Sequence, residues 1–230
     1  MKIKLLTFNI QHCRNFITRE IDVDGVVQTI KETGADIIGL NEVYGEYNYN
    51  LPQYQEIAQK LGFYYYFGQT FVYNNIPFGN ALISRFKLKN PRTIMIQDPP
   101  IRDSHWYETR CIIHSNFVDF DLDIFVTHFG LFESEQENAL EVSLEGINKV
   151  GPNIVFMGDL NMEADNEKIK ALNNLLFNTL QHGLTYPSVN PTKKIDYIFI
   201  SKNINLISAK IIKKVVSDHF PHYAYIELKK

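Results

Sequence analysis

The sequence predicts one α/β domain whose buried strands end in polar side chains. Three observations support that class. Residues 4–40 read as strand, helix, strand, with Gly34 closing the helix. Short apolar runs of the kind buried on both faces, such as Ile154–Met157 and Leu122–Val126, alternate with segments of helical periodicity. At 230 residues the chain can bury a large core, and it shows no internal repeat, low-complexity tract or linker that would divide it.

Composition narrows the function. Hydrophobic content of 45% and charged content of 21% are ordinary for a globular protein. A net charge of −3 and a pI near 6.2 argue against tight nonspecific binding to a phosphate backbone, leaving only local basic patches such as Lys193-Lys194 or Lys210–Lys214. Cys13 and Cys111 form neither a disulfide framework nor a ligand spacing, and their apolar surroundings predict buried free thiols. Met1–Leu6 has charge but no apolar core fit for a signal peptide, and no stretch approaches the about 20 apolar residues of a membrane span. A cytoplasmic monomer with no membrane insertion is the default expectation.

The elements follow in order. Lys4–Ile10 is a strand ending in Asn9, Gln11 and His12. Asp24 caps a helix through Thr33, with Val26, Val27 and Ile30 inward. Ala35–Leu40 is the next strand, and it delivers Asn41-Glu42 at its carboxyl end, where open α/β sheets place ligands. Tyr44–Asn50 reads as a loop over that end, and Pro52 opens a helix that Gly62 stops. Phe63–Phe67, Phe71–Tyr73, Phe78–Arg85, Leu88–Ile96 and Tyr107–Phe117 read as strands, with Asp98-Pro99-Pro100 an exposed connection. Leu122–Val126 ends in Thr127-His128. Ser134 and Glu137 form a capping box for a helix with Leu140, Leu144 and Ile147 on its core face. Asp165 caps a further helix, with Ile169, Leu172 and Leu176 inward. Lys193–Ser201, Leu206–Val216 and Ala224–Leu228 complete the strands.

Asn153–Met162 is the stretch around which the rest is arranged. Gly158 ends its apolar run, and Asp159 and Asn161 then share one face while Leu160 points back into the protein. By itself the pair could be an Asx-turn that merely satisfies strand-end amides. Asn9, Glu42, His128, and Asp218 with His219 occupy the ends of other strands, and Asp196 lies within a buried one, where a carboxylate needs a partner such as a histidine. The set is rich in carboxylate and amide oxygen and holds no thiolate, which suits Mg²⁺ or Mn²⁺. A carboxylate-held cation with open positions usually meets a substrate phosphate. There is no Gly-rich phosphate loop, dinucleotide fingerprint or nucleophile elbow, which leaves attack by an activated water as the simplest scheme.

Seven motifs in order carry a resemblance: Thr7–Ile10, Leu40–Val43, Gly79–Arg85, Thr127–Gly130, Gly158–Asn161, Ile195–Ile198 and Ser217–His219. The chain resembles the endonuclease/exonuclease/phosphatase superfamily over essentially its whole length. The resemblance implies a four-layer α/β sandwich, two packed mixed sheets flanked by helices, with the site in the cleft at one end. It implies Glu42 as main metal ligand, Asn9 as a neighbouring ligand or substrate contact, and Asp218 near the metal. Asp159 would orient and deprotonate the attacking water, and Asn161 would hold a phosphoryl oxygen. His219, oriented by Asp196, would contact the phosphate, and His128 would stabilise the transition state or protonate the leaving group. Asn80 and Arg110 would be substrate or supporting contacts. Gln11 and His128 stand where abasic-site endonucleases carry an acidic residue and a tyrosine, which leans toward the DNase-, sphingomyelinase- or phosphatase-like branches.

The expected activity is Mg²⁺- or Mn²⁺-dependent hydrolysis of a phosphodiester or phosphomonoester, on a small or lipid-derived phosphate. The alternative is a DNA or RNA nuclease whose basic contacts are Lys87, Lys89, Arg92, Arg102 and Arg110. A non-catalytic binding module on the same fold is a third reading, and one metal or two are both open.

Overall fold

The computed structural model describes residues 1–45, 51–100 and 107–229. The first half contains β1 (Lys2–Asn9), α1 (Val23–Thr33), β2 (Ile37–Tyr44), α2 (Gln53–Leu61), β3 (Tyr64–Tyr73), β4 (Ile76–Ser84) and β5 (Leu88–Ile96). Then come β6 (Arg110–Phe117), β7 (Asp123–His128), α3 (Glu133–Asn148), β8 (Ile154–Asp159), α4 (Glu167–Leu175), β9 (Leu176–Asn178), β10 (Asp196–Ser201), β11 (Asn205–Ile211) and β12 (His222–Glu227). Two six-stranded mixed sheets result, ordered β11-β12-β1-β2-β4-β3 and β5-β6-β7-β8-β10-β9.

Three apolar clusters explain the layering. Ile3, Leu5, Ile37, Leu82 and Ala224 of one sheet meet Ile113, Val126, Met157 and Ile198 of the other. The outer face of the first sheet, with Leu6, Phe8, Ile38 and Leu40, packs on Val26, Val27 and Ile30 of α1 and Ile57 of α2. The outer face of the second, with Phe125, Phe156 and Phe199, packs on Ala139 and Ile147 of α3 and Ile169 and Leu172 of α4. Strands covered on both faces must be apolar on both faces, which is why the middles of β7, β8 and β10 read as continuous hydrophobic runs. The architecture is the expected four-layer sandwich.

This topology places the chemistry. β1 and β2 pair in parallel, as do β7 and β8, so Asn9 ends β1 beside Asn41-Glu42, and His128 and Asp159 end neighbouring strands of the other sheet; β2 runs on through a bulge to Tyr44 instead of stopping at Leu40. β10 runs antiparallel to β8, which sets Asp196, its first residue, opposite Asp159.

Local details depart from the sequence reading in instructive ways. α1 is capped by Asp22, whose Oδ1 accepts from Gly25 N at 2.7 Å, and Asp24 lies in the first turn, where it pairs with Lys60. α3 begins before the predicted Ser134–Glu137 box: Glu135 Oε2 accepts from Phe132 N at 3.1 Å. Asn166, not Asp165, caps α4 through Lys168 N. The two predicted strands Phe63–Phe67 and Phe71–Tyr73 form one, β3, which starts at Tyr64 and continues across a bulge near Thr70. Leu176, predicted as helical, opens β9, a three-residue strand. β11 stops at Ile211 instead of reaching Val216. The loop expected over Tyr44–Asn50 falls, beyond Gly45, outside the described residues, as does Arg102.

Gly158 does not end the run but lies inside β8. Its φ is +151°, and a Cβ there would stand 1.8 Å from the carbonyl oxygen of Thr127. Only a residue without a side chain lets β7 and β8 approach so closely just before Asp159.

Candidate active site

Asp159 is at the centre of a polar cluster. It is 1% exposed. Its Oδ1 accepts from Asn161 N at 2.9 Å, and its Oδ2 accepts from Asn9 Nδ2 at 3.1 Å. The same Asn9 nitrogen donates to Glu42 Oε1 at 2.9 Å, so one amide spans two carboxylates from different sheets. Nε2 of His128 and Nε2 of His219 lie 3.5 and 3.6 Å from Asp159 Oδ2. Asn161 follows in a left-handed conformation (φ 52°), and Leu160 between them is fully buried, as strand alternation requires.

Glu42 reaches the cluster through a bulge. Leu40 pairs with Ala81 and Val43 with Gly79, which leaves Asn41 and Glu42 opposite the single residue Asn80. Glu42 takes φ 55° and lines the cleft, while Asn41 turns inward. Asn41 then ties the sheets together, accepting from Asp159 N at 3.0 Å and donating to Asn80 Oδ1 and the Thr127 carbonyl, both at 2.8 Å. Asn80 supports Asn41 and the Cys111 carbonyl and makes no bond to His128. Strained conformations gather among the polar groups, at the β2 bulge (Glu42) and just past the ends of β1 (Gln11, φ 44°) and β8 (Asn161).

The loop between β11 and β12 closes the ring. Asp218 Oδ2 accepts from Gln11 Nε2 at 3.0 Å, and the Ser217 hydroxyl lies 2.8 Å from the Asn9 carbonyl. His219 Nδ1 lies 2.9 Å from Asp196 Oδ2, and Tyr186 packs its ring 4.8 Å from that of His219. Arg110 is buried, with Nη1 3.0 Å from His128 Nδ1 and Nη2 2.9 Å from Glu108 Oε2.

Burial sets the electrostatics. It pushes the Asp159 carboxyl up to about 7, only partly offset by His219, and raises Glu42 against the opposing effect of the Asn9 amide. For His219 burial favours the neutral ring, but Asp196 and Asp159 outweigh it and lift the pKa to about 10. At His128 burial, with the Arg110 and His219 charges, prevails despite the Asp159 carboxylate 3.5 Å away and holds the ring well below 6.5. Two histidines flanking one carboxylate thus differ in charge.

The cleft is about 780 Å³ in volume, and its lining adds Glu108, Glu163, Asp165, Gln136, Lys193 and Tyr186. Glu42, Arg110, His128, Asp159, Asn161, Asp218 and His219 all line it, and Asn9 and Asp196 contact it through their bonds. The sequence reading placed Asn41 at the strand end without giving it a role, and it missed Tyr186. Asn41 carried a signal in its place beside Glu42 at a strand end; Tyr186 lies in a loop with none. Lys87 and Lys89 lie at the far end of the β5–β6 ladder from Arg110, and neither they nor Arg92 line the cleft. The thiols Cys13 and Cys111 are free and buried, as expected.

Asp159, Asp196 and His219 offer one ligand-type atom each within 4.8 Å of one another, and Asp196 Oδ1 is buried without a hydrogen-bond partner among the described residues. This triad could hold a metal ion. No described helix is long and apolar enough to cross a membrane.

A model of the endonuclease/exonuclease/phosphatase family matches residues 6–219. The chain belongs to that family. Its members are phosphoesterases and nucleases, typically dependent on divalent metal. The protein YbhP of Escherichia coli (strain K12) is 24% identical over 249 aligned positions, covering 98% of this chain and 96% of that one. An endonuclease/exonuclease/phosphatase structure from Beutenbergia cavernae superposes with TM-score 0.82 at 18% identity, over 99% of this chain and 72% of the other. The mannosyl-6-phosphatase Bt3783 of Bacteroides thetaiotaomicron superposes with TM-score 0.80 at 14% identity, over 98% and 100%. At such identities the structural likeness establishes the fold of this family member.

Proposed function

We propose that this family member is a divalent-metal-dependent phosphoesterase acting on a small phosphate ester by attack of water. The observation that carries the reading is the bridging of Glu42 and Asp159 by Asn9, with His219 on the other side of Asp159. Family membership adds the reaction class.

The donor set fits a hard cation: Glu42, Asp159 and Asp218 converge, and burial leaves Glu42 and Asp159 short of positive charge. Glu42 and Asp218 would hold the ion, with Asn9 keeping Glu42 in place; Asn9 Oδ1 itself accepts from Gln11 N at 3.1 Å. The Asp159–Asp196–His219 triad is the tighter cluster, but Asp196 and His219 already bond to each other and a protonated imidazole is no ligand. When bound, the cation neutralises phosphate charge and polarises the phosphorus–oxygen bond.

The chain's own groups do the rest. Asp159, with its carboxyl near 7, takes the proton of the attacking water. His219, charged and oriented by Asp196, donates to a phosphoryl oxygen. Asn161 holds Asp159 in register through its backbone N–H. His128 faces the same space from the other sheet and stabilises the transition state.

A small, uncharged organic portion on the substrate is favoured by the cleft rim. Glu108, Glu163 and Asp165 outnumber Arg110 and Lys193 there, and Arg110 is engaged by Glu108 and His128. Carboxylates repel a polyanionic strand and accept from hydroxyl groups. The structural relative named mannosyl-6-phosphatase is consistent with that choice.

The test is turnover of bis-p-nitrophenyl phosphate, sugar phosphates, phosphoinositides, sphingomyelin, plasmid DNA and short RNA, with Mg²⁺ and with chelator. Chelator-sensitive hydrolysis of a small ester, lost in Glu42→Ala, is expected. Turnover confined to DNA or RNA would overturn the substrate reading, and no turnover with no metal binding would overturn the enzymatic one.

A further inference from the structure

His128 meets a nitrogen donor on each side. Arg110 Nη1 lies 3.0 Å from its Nδ1, and Asn161 Nδ2 lies 3.1 Å from its Nε2. A neutral imidazole has one N–H and one lone pair, so it can accept from only one of them. A guanidinium only donates, and its hydrogen bonds are charge-assisted. Asn161 Nδ2 has a second acceptor, the Phe129 carbonyl at 3.0 Å, whereas Arg110 Nη1 faces the ring. Arg110 is itself fixed: it is 8% exposed, and Nη2 is 2.9 Å from Glu108 Oε2.

We infer that Arg110 is a positioning residue that locks His128 as the neutral tautomer protonated at Nε2, so that the ring presents the cleft with a hydrogen-bond donor. Nε2 also faces Asp159 Oδ2, which at 3.5 Å is too far and too poorly aligned for a hydrogen bond, so the Nε2–H is left for a phosphoryl oxygen while Asn161 Nδ2 donates to the Phe129 carbonyl. The pairing is the reverse of that at His219, whose Nδ1 faces the Asp196 carboxylate at 2.9 Å. His128 then stabilises charge without delivering a proton as an imidazolium, and Arg110 acts through it instead of binding substrate.

The experiment is long-range ¹H–¹⁵N correlation spectroscopy of histidine-labelled protein at neutral pH, with the His128 ring assigned through His128→Gln. A neutral ring with the hydrogen on Nε2 is expected, with and without Mg²⁺. A ring protonated on Nδ1, doubly protonated, or exchanging between tautomers would overturn the inference. In Arg110→Met the Nε2–H preference should be lost; if it persists, Arg110 does not set it. The kinetic arm rests on the phosphoesterase reading, and the spectrum does not. On the small ester that is turned over, Arg110→Met should lower kcat by on the order of 10–100-fold with KM little changed, as when a partner that orients a histidine is removed. A raised KM at constant kcat would make Arg110 a substrate contact. If the variant does not fold, the wild-type spectrum alone decides.

Discussion

Asp196 lies directly across the antiparallel β8–β10 ladder from Asp159. Two buried carboxylates at such a position repel, and His219 resolves the conflict by standing between them, 2.9 Å from one and 3.6 Å from the other. The clamp is structural and chemical at once, and the consequences can be measured.

Removing the clamp should cost activity and pH-dependent stability together. His219→Ala is expected to lower kcat by on the order of 100-fold. The folded pKa of about 10 exceeds the ordinary 6.5, so the charged ring stabilises fully below pH 6.5 and its contribution is lost as pH rises through about 10. The difference in Tm between wild type and variant should therefore be largest at or below about pH 6.5 and shrink toward pH 10. A difference that grows with pH would refute the clamp.

Asp159 should trade stability for function. Its carboxyl is raised from 3.8 to about 7, so the ionised form is disfavoured in the fold and stability falls as pH rises through that window. Asp159→Asn removes the buried charge. Above pH 7 we expect Tm to rise on the order of 2–4 °C, the equivalent of about 1 kcal/mol in a domain of this size. Turnover should drop by on the order of 100-fold or more. Near-normal turnover would mean that another group accepts the proton from water.

Metal binding can be read without substrate. Mg²⁺ or Mn²⁺ should raise the Tm of wild type by mass action. Glu42→Gln keeps the side-chain volume but loses the charge, and it should abolish the shift and the calorimetric binding signal. An undiminished shift would move the ion to the Asp159–Asp196–His219 triad.

Gly158→Ala tests the close approach of β7 and β8. A methyl group 1.8 Å from the Thr127 oxygen cannot be accommodated without parting the strands. Destabilisation on the order of 4 kcal/mol or more is expected, seen as a lowered urea midpoint or insoluble protein. A shift below about 1 kcal/mol would show that the ladder yields.

The periodicity of the chain made most elements legible. Leu88–Ile96 is a strand with the predicted bounds, and the helices ending at Gly34 and Gly62 stop where their glycines said they would. Caps were harder, because Asp22 and Asp24, or Asp165 and Asn166, offer the same chemistry within a residue or two; packing of the helix chooses between them. β9 was invisible, since its three residues show no period and exist as a strand only through their pairing with β10.

The candidate site divides in the same way. Amino-acid order alone determined which strands would be buried and that Asn9, His128 and Asp159 would end theirs with polar groups, because side-chain alternation and strand termination are local properties; Glu42 instead lies at a bulge inside β2, and Asp218 in the loop between β11 and β12. That Asn9 bonds to a residue 150 positions away, that Gln11 holds Asp218, and that one histidine faces a carboxylate and the other a guanidinium were decided only when the two sheets packed. Those contacts join segments remote in the chain, and their geometry depends on sheet register and on the bulge at Glu42. The charge of each group follows from that geometry, since burial and partners act through space and not along the sequence.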